Sequence, residues 1–330
     1  MIEISPGIYH LKIPIPNNPL GNTNVYLLKG RQNILIDSGI NTAEALDSLK
    51  EQLTASGVGL NDISQVIATH VHPDHYGLTT RLKELSKAKI ALHHRDKELI
   101  YSYETDMKEL RHRTDEWLHT NGAPPNMLPP FLGIRRLGPI ARPDIELQGD
   151  EIIDNGTFKL RVIWTPGHSP GHICLYEPNL KILFAGDHIL PVITPNISLQ
   201  PQSEANPLGD FLNSLNKVKD LDCALVAPAH EHIFPNLKKR VEEIIEHHHQ
   251  RSLEILAATK SESKTAYQLS NEITWMPEFG GVKFKNLAPW ERRMAIGETL
   301  AHLQAMIVDG RLDRLPKNGI MYYNHNIKGV

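Results

Sequence analysis

Residues 69–76 read Thr69-His70-Val71-His72-Pro73-Asp74-His75-Tyr76, directly after the apolar run Val66-Ile67-Ala68. A strand leads in and a helix follows, so the segment is a loop at a strand's C-terminal end. Alternate residues of an extended chain point the same way, which aims His70 and His72 at one point. Asp74 and His75 fall at the turn and serve a second point a few ångströms away. Two adjacent centres about 3.5–4 Å apart are what two-metal chemistry requires. Packing does not explain four ligand-type side chains between His70 and His75.

Three further runs end in the same manner. Trp164-Thr165-Pro166-Gly167-His168 brings a histidine off a strand at a glycine turn. Phe184-Ala185-Gly186-Asp187-His188 brings an aspartate, and Ala227-Pro228-Ala229-His230 brings another histidine. With the first segment they supply seven nitrogen and oxygen donors, the complement of two divalent ions sharing a carboxylate. Zinc is the ion expected, with iron or manganese as alternatives. No cysteine belongs to the set, which disfavours a closed structural zinc site.

The order His-x-His-x-Asp-His, Gly-His, Gly-Asp and a late His resembles the metallo-β-lactamase fold superfamily, in its glyoxalase II-like hydrolase branch, over residues 1 to about 240. The resemblance implies an α+β fold, a four-layer αβ/βα sandwich with the site at the seam of its two sheets. It implies that His70, His72 and His168 bind one metal, that Asp74, His75 and His230 bind the other, and that Asp187 bridges. Asp37, in Leu35-Ile36-Asp37-Ser38-Gly39, matches the family's first motif, an aspartate that supports the ligands from behind. A simple turn residue is the alternative there. Asp74 is expected to orient the nucleophile besides binding metal. His188 and Tyr76 stand next to ligands, either as hydrogen-bond donors to substrate or as packing behind the site.

Around these runs, short segments rich in Val, Ile and Leu read as strands at 24–28, 33–36, 65–68, 158–164, 173–176, 181–185 and 224–226. Helices are expected at 42–53, capped by Asn41 or Thr42, and at 78–86 and 211–218. Strands and helices in two successive groups suggest sheets covered by helices on their outer faces. Residues 96–145 interrupt the pattern as an insertion read as a lid, with a plain structural crossover as the alternative, and its Tyr101, Tyr103, Met107, Trp117, Met127 and Phe131 are expected to wall an apolar acyl pocket. Residues 1–240 therefore form the catalytic domain. Beyond it, helices at 241–258, 265–272 and 289–308 and a hairpin turning at Pro316-Lys317-Asn318-Gly319 read as a winged-helix-like C-terminal domain of 241–330. It resembles the tail of the lactamase-β-like endoribonucleases.

The chain has 330 residues, two cysteines and a net charge of −3. No whole-protein field draws it to nucleic acid or an acidic membrane surface. The cysteines, Cys174 and Cys223, form no disulfide framework, and Met1-Ile2-Glu3-Ile4-Ser5-Pro6 lacks the features of a signal peptide, so the cytoplasm is the expected compartment. Residues 245–330 hold eleven Lys/Arg against nine Asp/Glu, too even a balance for a surface that grips phosphates. The expected activity is hydrolysis of a small ester, thioester or lactone by hydroxide held between two metals. A metal-dependent endoribonuclease is the alternative, followed by a mononuclear iron persulfide dioxygenase. The expected partner is a small molecule, with no membrane, with nucleic acid disfavoured, and with a homodimer compatible.

Overall fold

The computed structural model describes residues 1–103, 107–125, 127, 140–200 and 205–325. One sheet holds seven strands in chain order, β1 (Ile2–Ser5), β2 (Ile8–Pro14), β3 (Asn22–Leu28), β4 (Asn33–Ile36), β5 (Ile63–Ile67), β6 (Lys89–His93) and β7 (Ile145–Leu147). The second is built from β8 (Ile152–Asp154), β9 (Lys159–Trp164), β10 (Ile173–Glu177), β11 (Ile182–Gly186) and β12 (Leu225–Pro228), in the spatial order β12-β11-β10-β9-β8. Strands β4 to β7 pair in parallel, and so do β11 and β12. The C-terminal ends of parallel strands lie together, where ligand sites of α/β sheets gather.

Residues of both sheets meet in one buried layer that includes Ile8, Leu28, Ile36, Val162, Leu175 and Phe184. Tyr26 spans the seam, edge-on to Phe184 at 5.1 Å, with its hydroxyl donating to the Pro228 carbonyl at 2.7 Å. On the outer face of the first sheet, helices Ala43–Ala55 and Thr79–Ser86 bury Leu46, Leu49, Leu53 and Leu82. On that of the second, helices Pro207–Val218 and Leu237–Ala258 bury Phe211, Leu215, Val241 and Ile244. The result is the four-layer αβ/βα sandwich that the motifs imply. Thr42, not Asn41, caps the first helix by accepting from the Ala45 amide at 3.1 Å.

Strands β1, β2, β6, β7 and β8 lack a counterpart in the sequence reading. Strands β7 and β8 have three residues each, too few to show a period, and β6 runs into helix His94–Tyr103 without a turn residue between them. The hairpin of strands Leu312–Lys317 and Ile320–His325 turns through Asn318-Gly319 alone, both in the left-handed region at φ 50 and 79°. Pro316 and Lys317 therefore belong to the strand and not to a four-residue turn.

Helix Leu237–Ala258 carries the chain across position 240 without a break. Its first half packs on the sandwich, while Ile255 joins Leu269, Trp275, Ile296, Leu303 and Met306 in the C-terminal core. Among the described residues no helix is long and apolar enough to cross a membrane. Since both cores share this helix, urea should unfold the protein in one transition, seen alike by circular dichroism and tryptophan fluorescence. Leu303→Ala should lower stability by about 2–5 kcal/mol with the m-value unchanged. Two separated transitions would show that the C-terminal region unfolds independently.

Candidate metal centre

Four strand ends deliver the donor side chains, and a fifth delivers the support behind them. Asp37 follows β4, residues 70–75 follow β5, His168 follows β9, Asp187 follows β11 and His230 follows β12. Their donor atoms fall into three overlapping groups, each within 4.8 Å, formed by His70, His72 and His168, by His70, His75 and Asp187, and by Asp74, His75 and His230. Nδ1 of His72 lies 2.8 Å from Nε2 of His70 and 3.0 Å from Nε2 of His168. Asp187 stands between the sets, Oδ2 at 3.5 Å from Nε2 of His168 and Oδ1 at 3.4 Å from Nε2 of His230 and 3.5 Å from Nε2 of His75.

Besides His70, whose Nδ1 meets Thr69 Oγ1 at 3.1 Å, three imidazoles are held by a carbonyl or carboxylate at the nitrogen away from the centre. His75 Nδ1 meets Asp37 Oδ2 at 2.9 Å, His168 Nδ1 meets the Asn196 carbonyl at 3.0 Å, and His230 Nδ1 meets the Asn22 carbonyl at 3.0 Å. A carbonyl or carboxylate behind a ring fixes it as the Nδ1–H tautomer and turns the Nε2 lone pair to the centre. Asp37 does more than turn the chain, because it also accepts from the Thr69 amide at 2.7 Å and its hydroxyl at 3.0 Å.

Burial drives His70, His72 and His168 below the ordinary imidazole range, His72 to about 3, so they stay neutral. Burial also opposes charge on His75 and His230, but Asp187 and Asp74 outweigh it. His75 rises well above its usual value and His230 to about 10. Nε2 of His75, Nε2 of His230 and Oδ1 of Asp187 are buried and hydrogen-bonded to nothing among the described residues. Buried polar atoms without partners are costly, and these three face one another. Three neutral imidazoles, and two more at a point where carboxylates favour positive charge, fit divalent cations.

Two supporting residues escape the sequence reading. Asp96 is fully buried and joins the loops of the two sheets, accepting from the Val71 amide at 2.8 Å, the Ser169 hydroxyl at 2.9 Å and the Gly171 amide at 2.6 Å. His172 accepts from the Asp187 amide at 3.1 Å, its other nitrogen meeting Thr165 Oγ1 at 2.9 Å. Gly186, at φ 52°, leaves the room for this, since a Cβ there would lie 2.6 Å from His172 Nε2. His188 and Tyr76, by contrast, do not line the cavity. His188 is fully buried against Phe211 and His172, and Tyr76 donates its hydroxyl to the Ala141 carbonyl at 2.8 Å. Of the two alternatives left open for His188, donor to substrate or packing behind the site, the fully buried ring fits the second.

The donors open on a cavity of about 790 Å³. His72, Asp74, His168, Asp187 and His230 line one part of it, and Trp275, Met276, Leu287, Trp290 and Met294 of the C-terminal region line another. Of the insertion's aromatic and Met residues named above, Trp117 and Met127 pack on the C-terminal core, while Phe131 and the side chains of Tyr101, Tyr103 and Met107 lie outside the described residues. Leu99 of helix His94–Tyr103 does reach the cavity.

The family model of the metallo-beta-lactamase superfamily matches residues 18–230, and the chain belongs to that superfamily as a metal-dependent hydrolase. Over 326 residues, 95% of this chain and 96% of the relative, it is 26% identical to the "Probable metallo-hydrolase YqjP" of Bacillus subtilis (strain 168). It is 30% identical to the human "Acyl-coenzyme A thioesterase MBLAC2" over 174 residues, 50% of this chain and 57% of that protein. The crystal structure of a metallo-beta-lactamase family protein from Thermus thermophilus superposes with a TM-score of 0.81 at 29% identity, covering 98% of this chain and 100% of that one.

Asp96→Asn keeps the shape of the side chain but sets an NH₂ group against amide or hydroxyl donors. Metal affinity should fall about 10–100-fold, as for other supports behind a metal site, when measured by competition with a chromophoric chelator. An unchanged affinity would reduce Asp96 to a purely structural tie.

Proposed function

We propose that the protein is a dinuclear, glyoxalase II-like hydrolase of acyl esters, thioesters or lactones, with zinc as the ion. The observation that carries this is the position of Asp187, one oxygen toward each set of imidazoles, at the margin of a cavity whose C-terminal wall sets Trp275, Met276, Leu287, Trp290 and Met294 beside charged residues such as Arg251 and Glu298. His70, His72 and His168 would hold one ion, Asp74, His75 and His230 the other, and Asp187 would touch both. Two bound divalent ions supply a water of lowered pKa and polarise the oxygen of the group under attack.

The rest falls to the chain's own side chains. Asp74 is the more exposed of the two carboxylates, at 22% against 11%, and its Oδ2 lies 3.4 Å from His230. It can accept a hydrogen bond from an attacking water and orient it. Asp37 keeps His75 turned to the centre, and Asn196 does the same for His168. The cavity's apolar side excludes bulk water from an acyl group, which strengthens every electrostatic contact inside. The thioesterase activity in the human relative's name supports a thioester among the candidates. The even charge of residues 245–330 speaks against a nuclease.

Elemental analysis of protein purified without added chelator should find close to two divalent ions per chain. Asp187→Asn should lose metal and nearly all thioester and ester hydrolysis, whereas Asp37→Asn should cost about 10–100-fold. One iron per chain with oxygen uptake on persulfides, or RNA cleavage without any ester or thioester hydrolysis, would overturn the assignment.

A further inference from the structure

We infer that the C-terminal region forms an acyl compartment, and that the site accepts a long, unbranched aliphatic acyl chain running from the metal centre toward Phe279. This rests on the acyl-hydrolase reading above and names the part of the substrate that the cavity selects. The volume is the first reason. A site for an acetyl or lactoyl group needs far less than about 790 Å³, which lies in the upper part of the range of about 300–1,000 Å³ that encloses a whole drug-sized ligand.

The lining is the second reason. Trp275 and Leu287 are buried at 6% and 4% exposure and, with Met294, give the cavity a wall of rings, a branched alkyl group and a thioether. Such surfaces fit flexible hydrocarbon, and methionine adapts to its shape. At the rim the character continues outward, where Phe279 is 64% and Trp290 36% exposed. Large apolar groups exposed beside a cavity mark a binding surface more often than chance.

The third reason is the shape of that rim. Residues 276–281 link the short strands Thr274–Trp275 and Val282–Lys283, and three of them are left-handed, Met276 at φ 50° and Gly280 and Gly281 at φ 84°. The Gly281 amide donates to the Met276 carbonyl at 3.1 Å, which closes the loop with Phe279 at its tip. A non-glycine residue such as Met276 uncommonly adopts such a φ. The wall is also joined to the metal centre. Asn196, whose carbonyl holds His168, donates through Nδ2 to Glu298 at 3.1 Å, on the same helix as Met294. A chain resting on this helix therefore stays in register with the ligands.

The test uses the intact, metal-loaded protein with straight-chain thioesters of N-acetylcysteamine and p-nitrophenyl esters from acetyl to palmitoyl. A parallel series of coenzyme A thioesters shows whether the leaving group matters. Each added methylene should raise kcat/KM on the order of fourfold until the compartment is filled. Met294→Trp should occupy part of the space and lower the palmitoyl-to-acetyl ratio of kcat/KM at least tenfold. Phe279→Ser, at an exposed position that folding tolerates, should lower it only for the longest chains. Binding of a fluorescent long-chain fatty acid gives a readout independent of turnover, and it should weaken in Met294→Trp. A flat profile in the wild type, or a Met294→Trp profile parallel to it, would overturn the compartment and leave the hydrolase assignment standing. Fatty-acid binding that depends on Met294, with no ester or thioester hydrolysed, would keep the compartment and sink the hydrolase assignment.

Discussion

Five imidazoles and two carboxylates cannot be gathered in a dry seam unless the rings are gripped from the side away from the centre. This constraint shapes the rest of the structure. Asp37, Thr69 and the carbonyls of Asn22 and Asn196 supply the grip, and they come from strand ends and loops far apart in sequence. The two sheets must therefore close in one register. The Tyr26 hydroxyl and the Asn24 side-chain amide, both bonded to the Pro228 carbonyl, keep β3 against the end of β12.

How far the sequence discloses this depends on where the information sits. The donors are legible because alternation along an extended segment and glycine or proline at a strand end restrict where a side chain points. The groups behind them are less so. Asn22 and Asn196 act through backbone carbonyls, which every residue possesses, so nothing in their identity announces the role. Asp96 resembles an ordinary acid in the first turn of a helix, a position favoured by the helix dipole alone. Only the folded chain brings it against Val71, Ser169 and Gly171. Asp37 is readable through its motif, while its bond to His75 requires the structure.

The cavity wall shows the same division from another side. Trp290 and Met294 fit the apolar pattern of the helix Pro289–Val308, and a pattern of period 3.6 cannot tell a core face from a pocket face. The aromatic residues of the insertion stand out because they interrupt a regular stretch, yet Trp117 and Met127 are spent on the C-terminal core. The polar balance of residues 245–330 is consistent with a surface that packs on its own chain.

The bond between segment 196–199 and helix Pro289–Val308 bears on how the protein is made. The Leu199 amide donates to the Gly297 carbonyl at 3.0 Å, and Gly297 has no side chain because a Cβ would lie 2.8 Å from Ser198 Oγ. Until that helix has been synthesised, Asn196 lacks its scaffold and His168 its fixed orientation. At about 5–20 residues per second, roughly five to twenty seconds of translation separate Leu199 from Gly297. A nascent chain in that interval presents most of its donors in their strands without a finished cradle.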